Sequence, residues 1–252
     1  MGRVNEILSV LDEMFPNAEC ELNHTNSLEL LIAVMLSAQT TDKSVNLLTK
    51  KLFIKYRNVD DFANADIEEL ENDLKRIGLY KNKAKNIKST AIQLIENFNR
   101  TVPSSQVELE SLPGVGRKTA NVVLSVWFDV PRIAVDTHVN RVSKRLKLAY
   151  LNDSVLQVEE KLMRKIPKNK WSDTHHKMIF FGRYHCTSRN PKCNECKLKE
   201  VCRYPNIWGY FLFFFLKLWK ATYMSILSWI SEKKSLYCSD IRTIQLISSW
   251  IC

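Results

Sequence analysis

The chain has 252 residues with a formal net charge of +10 and 45% hydrophobic content, enough length for two small domains around sizeable cores. The last 47 residues contribute little of that charge, five Lys and Arg against Glu232 and Asp240, so about +7 belongs to residues 1–205 and nucleic acid is the partner such a field suits best. Charges scattered through MGRVNEILSVLDEMF exclude an apolar signal-peptide core, so the protein is expected to be made in the cytosol.

Apolar residues recur at helical spacing from Val4 to Phe15, Leu28 to Met35, Val45 to Tyr56 and Ala84 to Phe98, whereas strand alternation is scarce. Helix starts are signalled by Asn26 or Ser27 ahead of Leu28, by Asp66 with Glu69 three residues on, and by Asp153 or Ser154 ahead of Val155–Ile166. Short helices with short connections predict an all-α fold. Between two of these helices lies Leu36-Ser37-Ala38-Gln39-Thr40-Thr41-Asp42, a polar loop in which Asp42 could cap the next helix. A second loop, Ile77-Gly78-Leu79-Tyr80-Lys81-Asn82-Lys83, passes from an apolar residue through glycine to a basic helix start.

Leu112-Pro113-Gly114-Val115-Gly116 repeats that layout and leads through Arg117-Lys118 into the apolar run Thr119–Phe128, a buried central helix by composition. Two glycines let backbone amides at a helix N-terminus approach a phosphate, which looks like the hairpin of a helix-hairpin-helix DNA-binding unit, with a plain interhelical turn as the alternative. Pro131 ends the run, and Asp136 is placed to cap a helix opening at Thr137-His138-Val139. Lys118 at a helix start beside Arg117 is disfavoured as an ammonium by both the helix dipole and the like charge, which suits an amine nucleophile. A phosphate-contacting lysine and a plain capping aspartate are the alternatives.

Four of the seven cysteines, Cys186, Cys193, Cys196 and Cys202, are spaced C-x6-C-x2-C-x5-C. In a cytosolic chain that crowding points to a metal or cluster rather than to disulfides, either a tetrahedral zinc or a four-iron cluster, with the single short spacing favouring iron and sulfur. The nearby His175, His176 and His185 are expected in packing or surface roles, since four cysteines already complete a coordination sphere.

The motifs LSAQTTD, GLYKNKAKNI, LPGVGRKTANV, AVDTHVNRV and the cysteine array, in this order over residues 1 to about 205, resemble endonuclease III, the bifunctional DNA glycosylase and AP lyase. The resemblance implies a two-domain helix-hairpin-helix glycosylase fold. In it, residues 1–21 form an N-terminal helix packing with the cluster domain, 22–132 a six-helix domain, and 133–205 the C-terminal helices with a [4Fe-4S] loop. It implies that Lys118 forms a Schiff base with the sugar C1′ of an oxidised pyrimidine nucleotide and that Asp136 is its carboxylate partner. Strand cleavage 3′ to the abasic site then follows by β-elimination. Because the base must leave the stack, Gln39 is expected against the orphaned partner base and Leu79 as an apolar wedge. Gly114, Val115 and Gly116 would hold a phosphate through their amides, and Arg189 and Lys192 would present cations to DNA from the first cysteine loop. The expected partner is double-stranded DNA with damaged pyrimidines or abasic sites, met by a monomer in the cytoplasm at the nucleoid.

Two rival readings are an adenine-mismatch glycosylase, which generally lacks the lysine, and a non-catalytic helix-hairpin-helix DNA-binding protein. Residues 206–252 depart from the family, with an aromatic and apolar stretch from Ile207 to Ile230 broken by Lys217 and Lys220. A read-through or out-of-frame extension is the favoured reading of that tail, ahead of membrane contact.

Overall fold

The computed structural model describes residues 2–202, and the tail read above as an atypical extension lies outside the described residues. Among the described residues there are eleven α-helices and no strand. The first eight are α1 (Arg3–Met14), α2 (Ser27–Leu36), α3 (Asp42–Lys55), α4 (Val59–Asn64), α5 (Ile67–Leu74), α6 (Tyr80–Asn97), α7 (Gln106–Ser111) and α8 (Arg117–Val126). Then come α9 (Thr137–Arg145), α10 (Val155–Lys165) and α11 (Trp171–Phe180), which runs on as a π-helical turn over Phe181–His185.

The helix starts follow side-chain capping. Asn26 accepts from the Glu29 amide, Asp66 from the Glu69 amide and Asp136 from the Val139 amide, each satisfying an orphan donor of the first turn. Between Asp153 and Ser154 the serine is the cap, in a reciprocal capping box with Gln157, while Asp153 pairs with Lys161 at 2.6 Å. Asp42 does not cap α3. Thr41 does, through its hydroxyl and the Ser44 amide, and Asp42 as first helical residue is left to pair elsewhere. The sixth helix begins four residues before the apolar periodicity suggested. Its N-cap is Leu79, which has no capping oxygen and sits in the left-handed region at φ 58.

Apolar side chains form two clusters. The larger gathers α2 through α8 around α2, whose residues Leu30 to Leu36 are all buried, so this helix is apolar on every side. The smaller joins Ile7, Leu8 and Leu11 of α1 to α9, α10, α11 and Leu198 of the cysteine loop. At roughly 1.5–3 kcal/mol for each fully buried Leu, Ile or Phe, both clusters are substantial cores.

The chain crosses from one core to the other in an extended segment before α9. Ala134 packs in the larger cluster, while Ile133 and Val135 on either side of it pack in the smaller. Alternation at period two is what an extended backbone produces, and it sets Asp136 at the seam between the cores. Asn121 of α8 fixes the segment by donating to the Ile133 carbonyl at 3.3 Å.

Candidate active site

A small cavity of about 70 Å³ opens at this seam. The larger core lends it Leu22, Val34, Val122 and Ala134, and α11 lends it His175, His176, Ile179 and Phe180. Lys118 and Asp136 both line it, from the first turn of α8 and the N-cap of α9. One Asp136 oxygen, Oδ1, is held at 2.7 Å by the Val139 amide, which fixes the carboxylate.

Arg117 does not share this environment. Its guanidinium forks onto Glu159 of α10 at 2.8 and 3.0 Å, and that carboxylate is almost wholly buried. The like charge that the sequence set beside Lys118 is therefore compensated by Glu159.

Residues that the sequence put to packing or surface turn out to form a wall of the cavity. His175 and His176 lie ring to ring, with centroids 4.1 Å apart. Burial holds both well below the usual histidine range, His176 at about 4, with the Lys118 charge adding to the effect on His175. Neutral imidazoles leave Lys118, Asp136 and a nearby ionic cluster to set the field. That cluster centres on Arg183 of the π-turn, which pairs with Asp42 at 2.7 Å and with Glu21, while Tyr184 donates to Glu21 at 2.8 Å. Composition gave no signal for this cluster, since its members are far apart in sequence.

A wider cleft of about 890 Å³ shares Glu21, Asp42 and Arg183 with the cavity and is lined also by Gln39, Thr40, Lys43, Lys50 and His138. The His138 Nδ1 accepts from the Arg141 guanidinium at 3.2 Å, and burial lowers its proton affinity below the ordinary range. Leu79 lines neither space, yet its side chain is 54% exposed beside this surface-facing loop.

The hairpin between α7 and α8 is built as the sequence anticipates around Gly114. Its φ is +76, and a Cβ would stand 2.5–2.9 Å from the Asn86 side chain of α6, so neither the backbone angle nor the space admits another residue easily. Thr90 donates to the Pro113 carbonyl at 2.9 Å and fastens the hairpin to α6. Val115 differs from its neighbours: its side chain is buried and its amide donates to the Leu112 carbonyl at 3.1 Å. Gly114 and Gly116 are both exposed, and nothing stands within 4 Å of a Cβ built on Gly116.

The cysteine loop begins at the end of the π-turn. Cys186, Cys193, Cys196 and Cys202 form no disulfide, and three of them pack on the smaller core around buried Leu198. Arg145 of α9 reaches into the loop, donating to the Cys186 sulfur at 3.3 Å, the Thr187 carbonyl at 2.6 Å and the Ser188 carbonyl at 3.0 Å. Burial raises the Cys193 and Cys196 thiols, and charge on the other cysteines raises them further. Four cysteines free of disulfides on one short loop have the donor chemistry of a site for a cationic metal or an iron–sulfur cluster. Among the described residues no three His, Cys, Asp or Glu side chains are grouped closely enough to hold a single metal ion. Arg189 and Lys192 are exposed on this loop and line neither the cavity nor the cleft.

Residues 32–168 match the family described as HhH-GPD superfamily base excision DNA repair protein. Endonuclease III of Bacillus subtilis (strain 168) is 58% identical over 203 residues, covering 81% of this chain and 93% of that one. Endonuclease III of Escherichia coli (strain K12) is 46% identical over 199 residues, 79% of this chain and 94% of that one. A solved structure of a trapped endonuclease III–DNA covalent intermediate, an estranged-adenine complex, superposes with a TM-score of 0.77 at 57% identity, covering 81% of this chain and 97% of that one. A thermostable thymine-DNA glycosylase, 24% identical with a TM-score of 0.71 over 80% of this chain and 96% of that one, shares the fold. An all-α chain carrying the hairpin, the lysine and aspartate at one cavity and the four-cysteine loop, at these identities over nearly the whole of its relatives, belongs to the endonuclease III family.

Proposed function

We propose that the protein is a base-excision-repair DNA glycosylase and AP lyase that removes oxidised pyrimidines by amine chemistry at Lys118. The observation that carries this reading is the meeting of Lys118 and Asp136 at one cavity from two different helices, in a chain whose relatives include an endonuclease III trapped covalently on DNA.

In this mechanism the damaged nucleotide leaves the duplex, at a cost of a few kcal/mol that the protein offsets by filling the gap. Lys118 Nζ, after giving up a proton, attacks C1′ as the bond from C1′ to the base breaks and the base departs with the electron pair. The fixed Asp136 carboxylate stabilises positive charge developing at the sugar and can take up the proton that Lys118 sheds. The amine adduct opens the sugar ring to a Schiff base. Loss of a C2′ proton then expels the 3′-oxygen, which breaks the strand, and hydrolysis frees the lysine.

The DNA partner is double-stranded, carries a damaged pyrimidine or an abasic site, and is met by a monomer in the cytoplasm at the nucleoid, where such DNA resides. Gln39 and Leu79 occupy the space vacated by the flipped base, and the amides of Gly114 and Gly116 hold a phosphate next to it. Arg189 and Lys192 add backbone contacts. Cys186, Cys193, Cys196 and Cys202 would hold a [4Fe-4S] cluster, which four cysteines free of disulfides on one loop and the Arg145 contact to the Cys186 sulfur support. That group would tie the loop together and carry no step of the excision. In this reading residues 22–132 are the domain of the larger core, residues 133–205 with the N-terminal 1–21 are the cluster domain, and the cavity belongs to both.

Borohydride added during turnover on a duplex with one oxidised pyrimidine tests the chemistry. A covalent protein–DNA adduct is expected, and strand scission without any adduct would overturn the amine mechanism.

A further inference from the structure

The two loops placed here at the flipped base are held by one residue that no part of the mechanism uses. Lys83, in the first turn of α6, is 6% exposed. Its ammonium donates to the Leu36 carbonyl at 2.9 Å, the Ala38 carbonyl at 2.7 Å and the Thr40 hydroxyl at 3.0 Å. Three donors meet three acceptors, and among the described residues no carboxylate pairs with it. Leu36 ends α2, where carbonyls lack helical partners and the helix dipole favours a cation. The three acceptors bracket Gln39, whose own backbone is left-handed at φ 56. The same lysine's amide donates to the Leu79 carbonyl at 3.0 Å, the first bond of α6. Between them, a Cβ built on Gly78 would rest 4.0 Å from the Gln39 carbonyl, so the loops abut.

We propose that Lys83 is the positioning residue that locks the Gln39 loop to Leu79, so that both side chains are presented to the duplex as one rigid wedge. The inference rests on the reading of Gln39 and Leu79 given above. It explains why a lysine is buried without a carboxylate partner: an ammonium brings three donors to three oxygens, more than any neutral side chain offers. Burial lowers the Lys83 proton affinity, but the fan of oxygen acceptors suits the charged form.

The test compares two duplexes under single-turnover, saturating conditions. One carries an oxidised pyrimidine still paired, which must be extruded, and the other a preformed abasic site, which leaves the stack at little cost. Lys83→Met keeps the apolar stem and removes the donors. It is expected to lose about 10- to 100-fold on the paired lesion and less than about 3-fold on the abasic site, as a misplacement of about 1 Å would. Thr40→Val, which removes one acceptor and leaves the burial of Lys83 intact, should show the same selectivity at smaller size. A 2-aminopurine beside the lesion should brighten less on binding to either variant. Equal losses on both duplexes, or none, would mean that Lys83 merely supports the fold. Gln39→Ala and Leu79→Ala run alongside. If these lose nothing on the paired lesion, the loop reading itself fails and the proposal with it, whereas losses there without one in Lys83→Met overturn only the role of Lys83.

Discussion

Arg117 and Lys118 are adjacent at the start of α8 yet serve different surroundings, Arg117 forking onto buried Glu159 and Lys118 lining the cavity with Asp136. A helix turns about 100° per residue, so neighbours on its first turn face different elements. The pair therefore separates a structural cation from the proposed nucleophile. Lys118→Ala is expected to abolish covalent capture and to lower base excision by about 10³-fold or more, with duplex binding within a few-fold of the parent. Arg117→Met should keep the capture and lose about 1–3 kcal/mol of stability, since it strands the Glu159 carboxylate. Trapping gels and urea melts measured on both variants check this, and capture surviving in Lys118→Ala would reassign the nucleophile.

The hairpin glycine makes a second expectation. Gly114→Ala meets both a left-handed φ and the Asn86 side chain, so a loss of about 1–3 kcal/mol is expected together with weaker binding to undamaged duplex. Adding Asn86→Ala removes the steric part and not the backbone part, so the double variant should recover some of the loss. Complete recovery would show that φ at this position is unimportant.

The histidine pair predicts a pH dependence. Both rings have folded-state proton affinities below the unfolded value near 6.5, with His176 at about 4. Below pH 6.5 the unfolded chain takes up protons that the native state refuses, so stability falls as pH drops from about 6.5 toward 4, by about 1.4 kcal/mol per pH unit for each such proton. The carboxylates held low by lysines, Asp12 and Asp153, act at still lower pH, so this window belongs to the histidines, His138 and His185 adding to the pair because burial lowers them too. Urea unfolding of the parent and of His176→Gln across pH 4–7 should show a flatter slope in the variant.

The cysteine loop supplies a fourth. Anaerobically purified protein should be yellow-brown with about four irons per chain and no stoichiometric zinc. Arg145→Met removes donors from the Cys186 sulfur and the next two carbonyls and should lower the iron bound per chain. Stripping the iron should open residues 186–202 to proteolysis before the rest of the chain. A colourless protein with one zinc would contradict the cluster.

Much of this was legible in the sequence because it rests on local chemistry. Helical periodicity, the caps Asn26, Asp66 and Asp136 and the hairpin glycine act over three or four residues, and the ordered motifs carried the family. Where the caps offered a choice, local rules were weaker: Thr41 took the role expected of Asp42, because Asp42 had a distant partner in Arg183. The start of α6 escaped notice because Leu79 has no capping side chain and takes a left-handed backbone that is rare for leucine.

What the sequence determined by itself was the all-α architecture, the family and the identity of the residues to examine, since periodicity, capping and motif order are properties of neighbours along the chain. Only the tertiary structure decided which of them meet. The seam where Lys118 and Asp136 share a cavity with His175 and His176, the Arg183 ion pairs and the three-oxygen cradle of Lys83 all join residues distant in sequence. Their reason is packing: two apolar cores bury their faces together, and the polar groups caught between them must find partners wherever the crossing of helices supplies one.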